Sequence, residues 1–175
     1  LSVAGATLAG MTTDDVRLRP VRDDDLELFL AYEHDPEAVR RSRFTPRPRD
    51  AFLRHWRNRV LGDPTGLVRT VEVDGEVAGN IVAWWEGRRR FTGYWLGRPY
   101  WGRGVGSRAL ALFLREETVR PLYADPFAAN TASVRLLEKN GFVPYDDPEH
   151  PVDEGFVLLV LHAPHPADAP TDELP

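Results

Sequence analysis

Val16 to Val21 alternates apolar and polar residues, the two-residue period of a half-buried strand. The period then lengthens. Leu26, Phe29, Leu30 and Glu33 recur at helical spacing behind Asp23, Asp24 and Asp25, and acidic groups suit a helix N-terminus. Pro36 ends that helix or starts another turn, and Pro46 and Pro48 make 41–49 a loop. Phe52, Leu53, Trp56 and Val60 share one face of a second helical pattern over Asp50 to Leu61. Strands are predicted over Gly66 to Val73, Glu76 to Trp85 and Phe91 to Leu96. The first pair is joined at Asp74-Gly75, a strong hairpin signal. Glu86-Gly87 makes the next turn, with Arg88, Arg89 and Arg90 near its tip.

After this antiparallel meander the pattern changes. Gly102, Gly104 and Gly106 stand at alternating positions and lead into a helix over Ser107 to Thr118, with Leu110, Phe113 and Leu114 on one face. A short strand follows over Pro121 to Asp125. Asn130 reads as the N-cap of a helix that ends at Asn140-Gly141. Phe142 to Tyr145 and Gly155 to Leu161 are the last strands. The reading is one domain over residues 14–163, a leader over 1–13 and a proline-rich tail over 164–175.

Composition narrows the function. The chain has 175 residues, 42% apolar and 28% charged, which suits one globular domain with a real core. The apolar run Leu1 to Gly10 is too short for a membrane helix and has no basic residue before it, so neither membrane nor signal peptide is expected. The chain has no cysteine, which excludes disulfides, thiolate metal sites and a cysteine acyl-enzyme. The five histidines lack metal-ligand spacing, so no metal is expected. A net charge of −5 argues against a general nucleic-acid partner. All basic residues but Lys139 are arginine, a bias that fits a GC-rich bacterial genome. Cytoplasmic localisation is the matching expectation.

The glycine-rich turn lets a ligand approach the backbone closely. The helix behind it offers free N–H groups and a positive dipole end, an anion site suited to a pyrophosphate. Ser107-Arg108 after Gly106 does not match a Walker loop, and a mid-chain turn behind a meander does not match a dinucleotide fold. Tyr94-Trp95-Leu96, Tyr100 to Gly106, and Asn130-Thr131-Ala132-Ser133 running to Leu137-Glu138-Lys139-Asn140-Gly141-Phe142 carry a resemblance. With the order of elements, they make the chain resemble the GNAT superfamily of acyl-CoA-dependent N-acyltransferases over Val16 to Leu161. Trp101, standing where Gln or Arg is usual, looks like the RimJ/RimL branch.

The resemblance implies a mixed α/β (α+β) fold, with a mostly antiparallel, splayed sheet of about seven strands flanked by about four helices. It implies acetyl-CoA as co-substrate and a primary amine as acceptor, either a protein N-terminus or a small molecule. By the resemblance, Arg103, Gly104, Val105, Gly106 and Ser107 hold the pyrophosphate through backbone amides. Trp95 and Leu96 pair with the pantetheine arm, Asn130 faces that arm, and Ser133 faces the sulfur. Leu137 stands where many members have a tyrosine general acid, so Ser133 takes that role. No base is identified; a water chain is the default, with Glu86 and Asp125 as candidates. Arg43 or Arg47 on one rim would meet an acidic acceptor, or Asp146, Asp147, Glu149, Asp153 and Glu154 on the other a cationic one. A non-catalytic acyl-CoA sensor and a nucleotide-binding regulator are the rival readings. Apolar strand residues near the C-terminus would suit a homodimer if they are exposed.

Overall fold

The structure, a computed structural model, describes residues 13–148 and 151–162. The expected leader, except Thr13, and the expected tail lie outside the described residues. In chain order the elements are β1 (Val16–Arg19), α1 (Asp25–Glu33), α2 (Pro36–Ser42), α3 (Arg49–His55), β2 (Leu67–Val73), β3 (Glu76–Glu86), β4 (Arg89–Leu96), α4 (Val105–Glu116), β5 (Leu122–Ala124), α5 (Thr131–Lys139), β6 (Val143–Pro144) and β7 (Leu159–Leu161). The strands form one sheet in the order β1-β2-β3-β4-β5-β7-β6. Every pairing is antiparallel except β4 with β5.

Three local differences from the sequence reading have physical causes. The pattern over Asp50 to Leu61 is one helix in register but two in winding: α3 passes into a π-type turn over Trp56–Val60. Of the two readings of Pro36, ending α1 or starting another turn, the second holds, and that turn continues as the helix α2. Pro36 occupies the first turn of α2, where its missing N–H costs nothing, behind Asp35, whose carboxylate accepts from the Glu37 and Ala38 amides. Arg90 is not at a hairpin tip. It is a buried residue of β4, because its guanidinium reaches the Glu117 carboxylate at 2.7 Å and the Thr65 carbonyl at 2.8 Å.

Two apolar layers cover the sheet. On one face Ala109, Leu110, Phe113 and Leu114 of α4 pack with Ile81, Leu122 and Leu159. On the other, Leu26 and Phe29 of α1 pack with Phe52, Leu53 and Trp56. What positions a site is the middle of the sheet. β4 pairs with β5 only at Arg90–Leu122 and Phe91–Tyr123, so the two strands part beyond Phe91. β4 stays bound to β3 as far as Gly79–Leu96. One edge of β4 is therefore open from Gly93 onward.

Gly79 makes that arrangement feasible. A Cβ added there would stand 2.0 Å from the Trp95 carbonyl oxygen and 2.9 Å from the Leu96 Cα. Both clashes are with backbone, so a side chain forces the strands apart. Gly79→Ala is expected to lower unfolding stability by about 3 kcal/mol, read as a lower urea midpoint.

Candidate active site

The parted strands open a cleft of about 1140 Å³ that reaches from the N-terminus of α4 to the space beneath α1 and α3. Of the residues expected to form a site, Trp95, Leu96, Gly104, Val105, Gly106, Ser107, Asn130 and Ser133 all line it. Arg103 does not. Its guanidinium is bound to the Asp14 carboxylate at 2.7 and 3.0 Å and to the Pro99 carbonyl at 3.1 Å.

The α4 end is shaped for an anion. Gly104 caps the helix with φ +71, and a Cβ there would meet nothing within 4 Å. Arg108 N–H bonds back to the Gly104 carbonyl at 3.2 Å, so the amides of Val105, Gly106 and Ser107 precede the first intrahelical bond. The turn is braced from two sides. The Arg108 guanidinium donates to the carbonyls of Asp14, Arg103 and Gly104. The buried Asn140 amide donates to the Ser107 carbonyl at 3.3 Å and hydroxyl at 3.2 Å, and to the Leu136 carbonyl at 2.9 Å. Asn140, expected at the C-cap of α5, thus also braces the α4 turn. Arg135 and Lys139 of α5 also line this end and add positive charge.

The open edge of β4 follows from strand alternation. Gly97 N–H donates to the Ala78 carbonyl, so Gly97 and Trp95 turn their backbone toward β3. Tyr94 and Leu96 turn theirs toward the gap. The Leu96 carbonyl accepts from the Trp101 indole at 2.9 Å. The Trp95 carbonyl lies against Gly79, so the backbone groups that face the gap are those of Tyr94 and Leu96, not those of Trp95. Trp95 enters the cleft through its ring, whose Nε1 donates to the Tyr32 carbonyl at 2.8 Å and which meets the Phe44 ring edge-on at 5.4 Å.

Asn130 caps α5, its side chain accepting the Ser133 N–H at 3.4 Å. This fixes Ser133 in the first turn. The Ser133 hydroxyl lies 2.6 Å from the Tyr94 hydroxyl, which also reaches the Ser133 carbonyl at 3.2 Å. Burial pushes the Tyr94 phenol up to about 12, although its bond with Ser133 pulls it down. Tyr94 therefore stays protonated at neutral pH and can donate to the serine oxygen. Its place in the Tyr-Trp-Leu run gave no hint of this, since the partner lies 39 residues away.

Beneath α1 the cleft is aromatic and charged. Phe29, Phe44, Trp56 and Trp84 line it, with Glu33, Arg47, His55 and Asp125. Asp125 stands at an open mouth; crowding by neighbouring atoms, with Glu86 and Asp153, pushes its carboxyl up against its own backbone bond. Glu86, the other candidate base, is not part of the lining. Glu33 was not foreseen. It is 9% exposed, and its Oε1 has no hydrogen-bond partner. Burial pushes its carboxyl up, opposed by the Arg47 amide and by the charges of Arg47 and His34.

The rims contain one of the two expected arginines and, among the described residues, none of the expected acidic ones. Arg47 lines the cleft, whereas Arg43 spans to the Phe127 ring at 5.1 Å. On the other rim Asp147 pairs with Arg89, and Asp146, Asp153 and Glu154 are not in the lining. Glu149 lies outside the described residues. Val143 and Tyr145 near the C-terminus are exposed, at 49% and 37%. Among the described residues no helix is long and apolar enough to cross a membrane, and no three acidic or histidine side chains group as metal ligands.

Comparison with known proteins agrees with this architecture. No curated protein matches the chain. A domain from Methanocaldococcus jannaschii superimposes with a TM-score of 0.71 at 16% identity, over 86% of this chain and 99% of that one. The GNAT-family acetyltransferase from Bacillus anthracis gives 0.67 at 19% identity, over 84% and 94%. RimJ from Mycobacterium smegmatis, solved in complex with CoA-disulfide, gives 0.64 at 21% identity, over 85% and 82%. These likenesses show a shared fold. The family model of the acetyltransferase (GNAT) domain matches residues 15–143, most of the chain, and so the protein belongs to the GNAT acetyltransferase family.

Proposed function

We propose that the protein moves an acetyl group from acetyl-CoA to a primary amine while both are bound, as a member of the RimJ/RimL-like branch. The observation that carries this reading is the parting of β4 from β5 beside the Gly104–Ser107 turn, with the Ser133–Tyr94 pair inside the gap. The amides of Val105, Gly106 and Ser107 hold the pyrophosphate, and Arg135 and Lys139 supply counter-charge. Arg103 acts through its place in the turn, its side chain being held by Asp14. The pantetheine arm lies along the open edge of β4, where an N–H of Tyr94 or Leu96 meets the thioester oxygen as charge builds there. Asn130 faces the arm. Ser133 gives its proton to the departing thiolate, with Tyr94 donating to the serine oxygen and holding its rotamer.

A primary amine enters from the aromatic side beneath α1. Turnover is the test: acetyl-CoA is mixed with a panel of primary amines, α-amino peptides included, and free thiol is followed. Thiol release that requires an amine supports a transferase. Binding of acetyl-CoA with no amine consumed would make the protein a sensor.

A further inference from the structure

Resting on the transferase reading, we propose that Glu33 is the acceptor-binding carboxylate of this cleft. It seats the ammonium of a small primary amine whose apolar or aromatic body lies among Phe29, Trp56 and Trp84, and it takes up the first proton. Glu33 ends α1 directly after Tyr32, whose carbonyl holds the Trp95 indole. It is therefore the chain neighbour of the residue that holds the Trp95 ring, and both Glu33 and Trp95 line the cleft. It is a buried carboxyl with an unpartnered oxygen, a costly state that calls for a donor.

The Arg47 amide acts on the carboxyl, but the groups around Glu33 leave Oε1 bare. Arg47 Nη1 is 3.9 Å from Oε1, beyond hydrogen-bond distance, on a side chain 39% exposed. His34 bonds the Arg47 carbonyl at 2.6 Å. Arg41 is held by Glu37 at 2.8 Å and lies over the Trp101 ring at 4.6 Å. His55 of α3 and Arg59 of the π-type turn line the same space, and burial, Arg47 and Arg59 pull His55 toward its neutral form. A cation arriving from the cleft, with Arg47 swinging aside, satisfies the free oxygen. The flat walls take an apolar body. The rims are tied by Arg43 over Phe127, which suits a small acceptor.

The step balances. The ammonium gives one proton to Glu33, and the neutral nitrogen forms the C–N bond as the C–S bond breaks. Ser133 protonates the thiolate and regains a proton from the nitrogen, and Glu33 releases its own to solvent. The products are the amide, the CoA thiol and one proton.

The test uses 2-phenylethylamine as probe with the parent and Glu33→Gln, which keeps shape and removes charge. Acetyl-CoA affinity, read by calorimetry, is expected to stay within about twofold, because Glu33 lies away from the phosphate turn. The amine KM is expected to rise about 10-fold or more, and the acidic limb of the kcat/KM pH profile to disappear. That limb exists because the carboxylate must be ionised to take the proton, so activity falls as pH drops through its raised pKa. Parent-like KM and pH profile in Glu33→Gln would overturn the proposal. So would Arg47→Ala and Glu33→Gln losing thermal stability alike with amine KM unchanged, the mark of a structural pair. If no amine is turned over, the transferase reading fails by itself. The probe is then titrated into the protein–CoA complex, and absent or equal binding by parent and variant overturns the seat.

Discussion

Ser133→Ala is expected to lower kcat by about 10²- to 10³-fold while leaving acetyl-CoA affinity within a few-fold. The split follows from position. Ser133 sits in the first turn of α5, under the Asn130 cap, with its hydroxyl turned to Tyr94 rather than to the phosphate turn. In the proposed mechanism its loss removes the proton donor for the leaving sulfur and leaves the α4 amides untouched. Tyr94→Phe tests the support behind it. Removing the phenol hydroxyl leaves Ser133 free to rotate, so a smaller fall in kcat, about 10-fold, is expected. The two variants act on one unit, so Ser133→Ala with Tyr94→Phe should be little worse than Ser133→Ala alone. Equal kcat in parent and Ser133→Ala would remove the serine from the chemistry. Steady-state kinetics with saturating amine and calorimetry of acetyl-CoA read both quantities.

Glu117→Ala is expected to cost about 3–5 kcal/mol of stability, seen as a large fall in the urea midpoint. Glu117 and Arg90 are 3% and 5% exposed, and one carboxylate oxygen receives two guanidinium bonds at 2.7 and 3.1 Å. The other oxygen accepts the Val119 amide at 3.0 Å. Truncation leaves the Arg90 charge buried and this amide without its acceptor. The pair ties the end of α4 to β4 one residue before the strands part. Its loss should therefore also weaken acetyl-CoA binding. The double variant Arg90→Met with Glu117→Leu should recover much of the stability, because no lone charge remains. A fall under about 1 kcal/mol in Glu117→Ala would show that water reaches the site.

Much of the fold is legible in the sequence. Asp74-Gly75 makes the hairpin between β2 and β3, with both residues at positive φ, as the dipeptide promised. Asn130 caps α5, and the glycine-rich run opens α4. These signals are local, so a few adjacent residues carry them. The Tyr94–Ser133 bond, the Arg90–Glu117 pair and the bare Glu33 oxygen join or isolate groups far apart in sequence. No spacing rule encodes them. Arg90 shows the cost: within Arg88-Arg89-Arg90 it looks like a solvated tip, and only the distant carboxylate makes it an interior residue. The last strands are shorter than their apolar runs, β6 spanning two residues and β7 three, because β7 pairs with β5 only over Leu159–Leu161 and with β6 only at Leu159 and Val160.

The claim on which everything else depends is that acetyl-CoA binds with its pyrophosphate on the α4 turn. Isothermal titration of acetyl-CoA into the parent, Gly104→Ala and Gly104→Trp tests it directly. Both variants strain the same positive-φ position, but only tryptophan fills the space in front of the amides. Binding by the parent and by Gly104→Ala, and none by a folded Gly104→Trp, is the expected result. Undiminished binding by Gly104→Trp, or none by the parent, would contradict it.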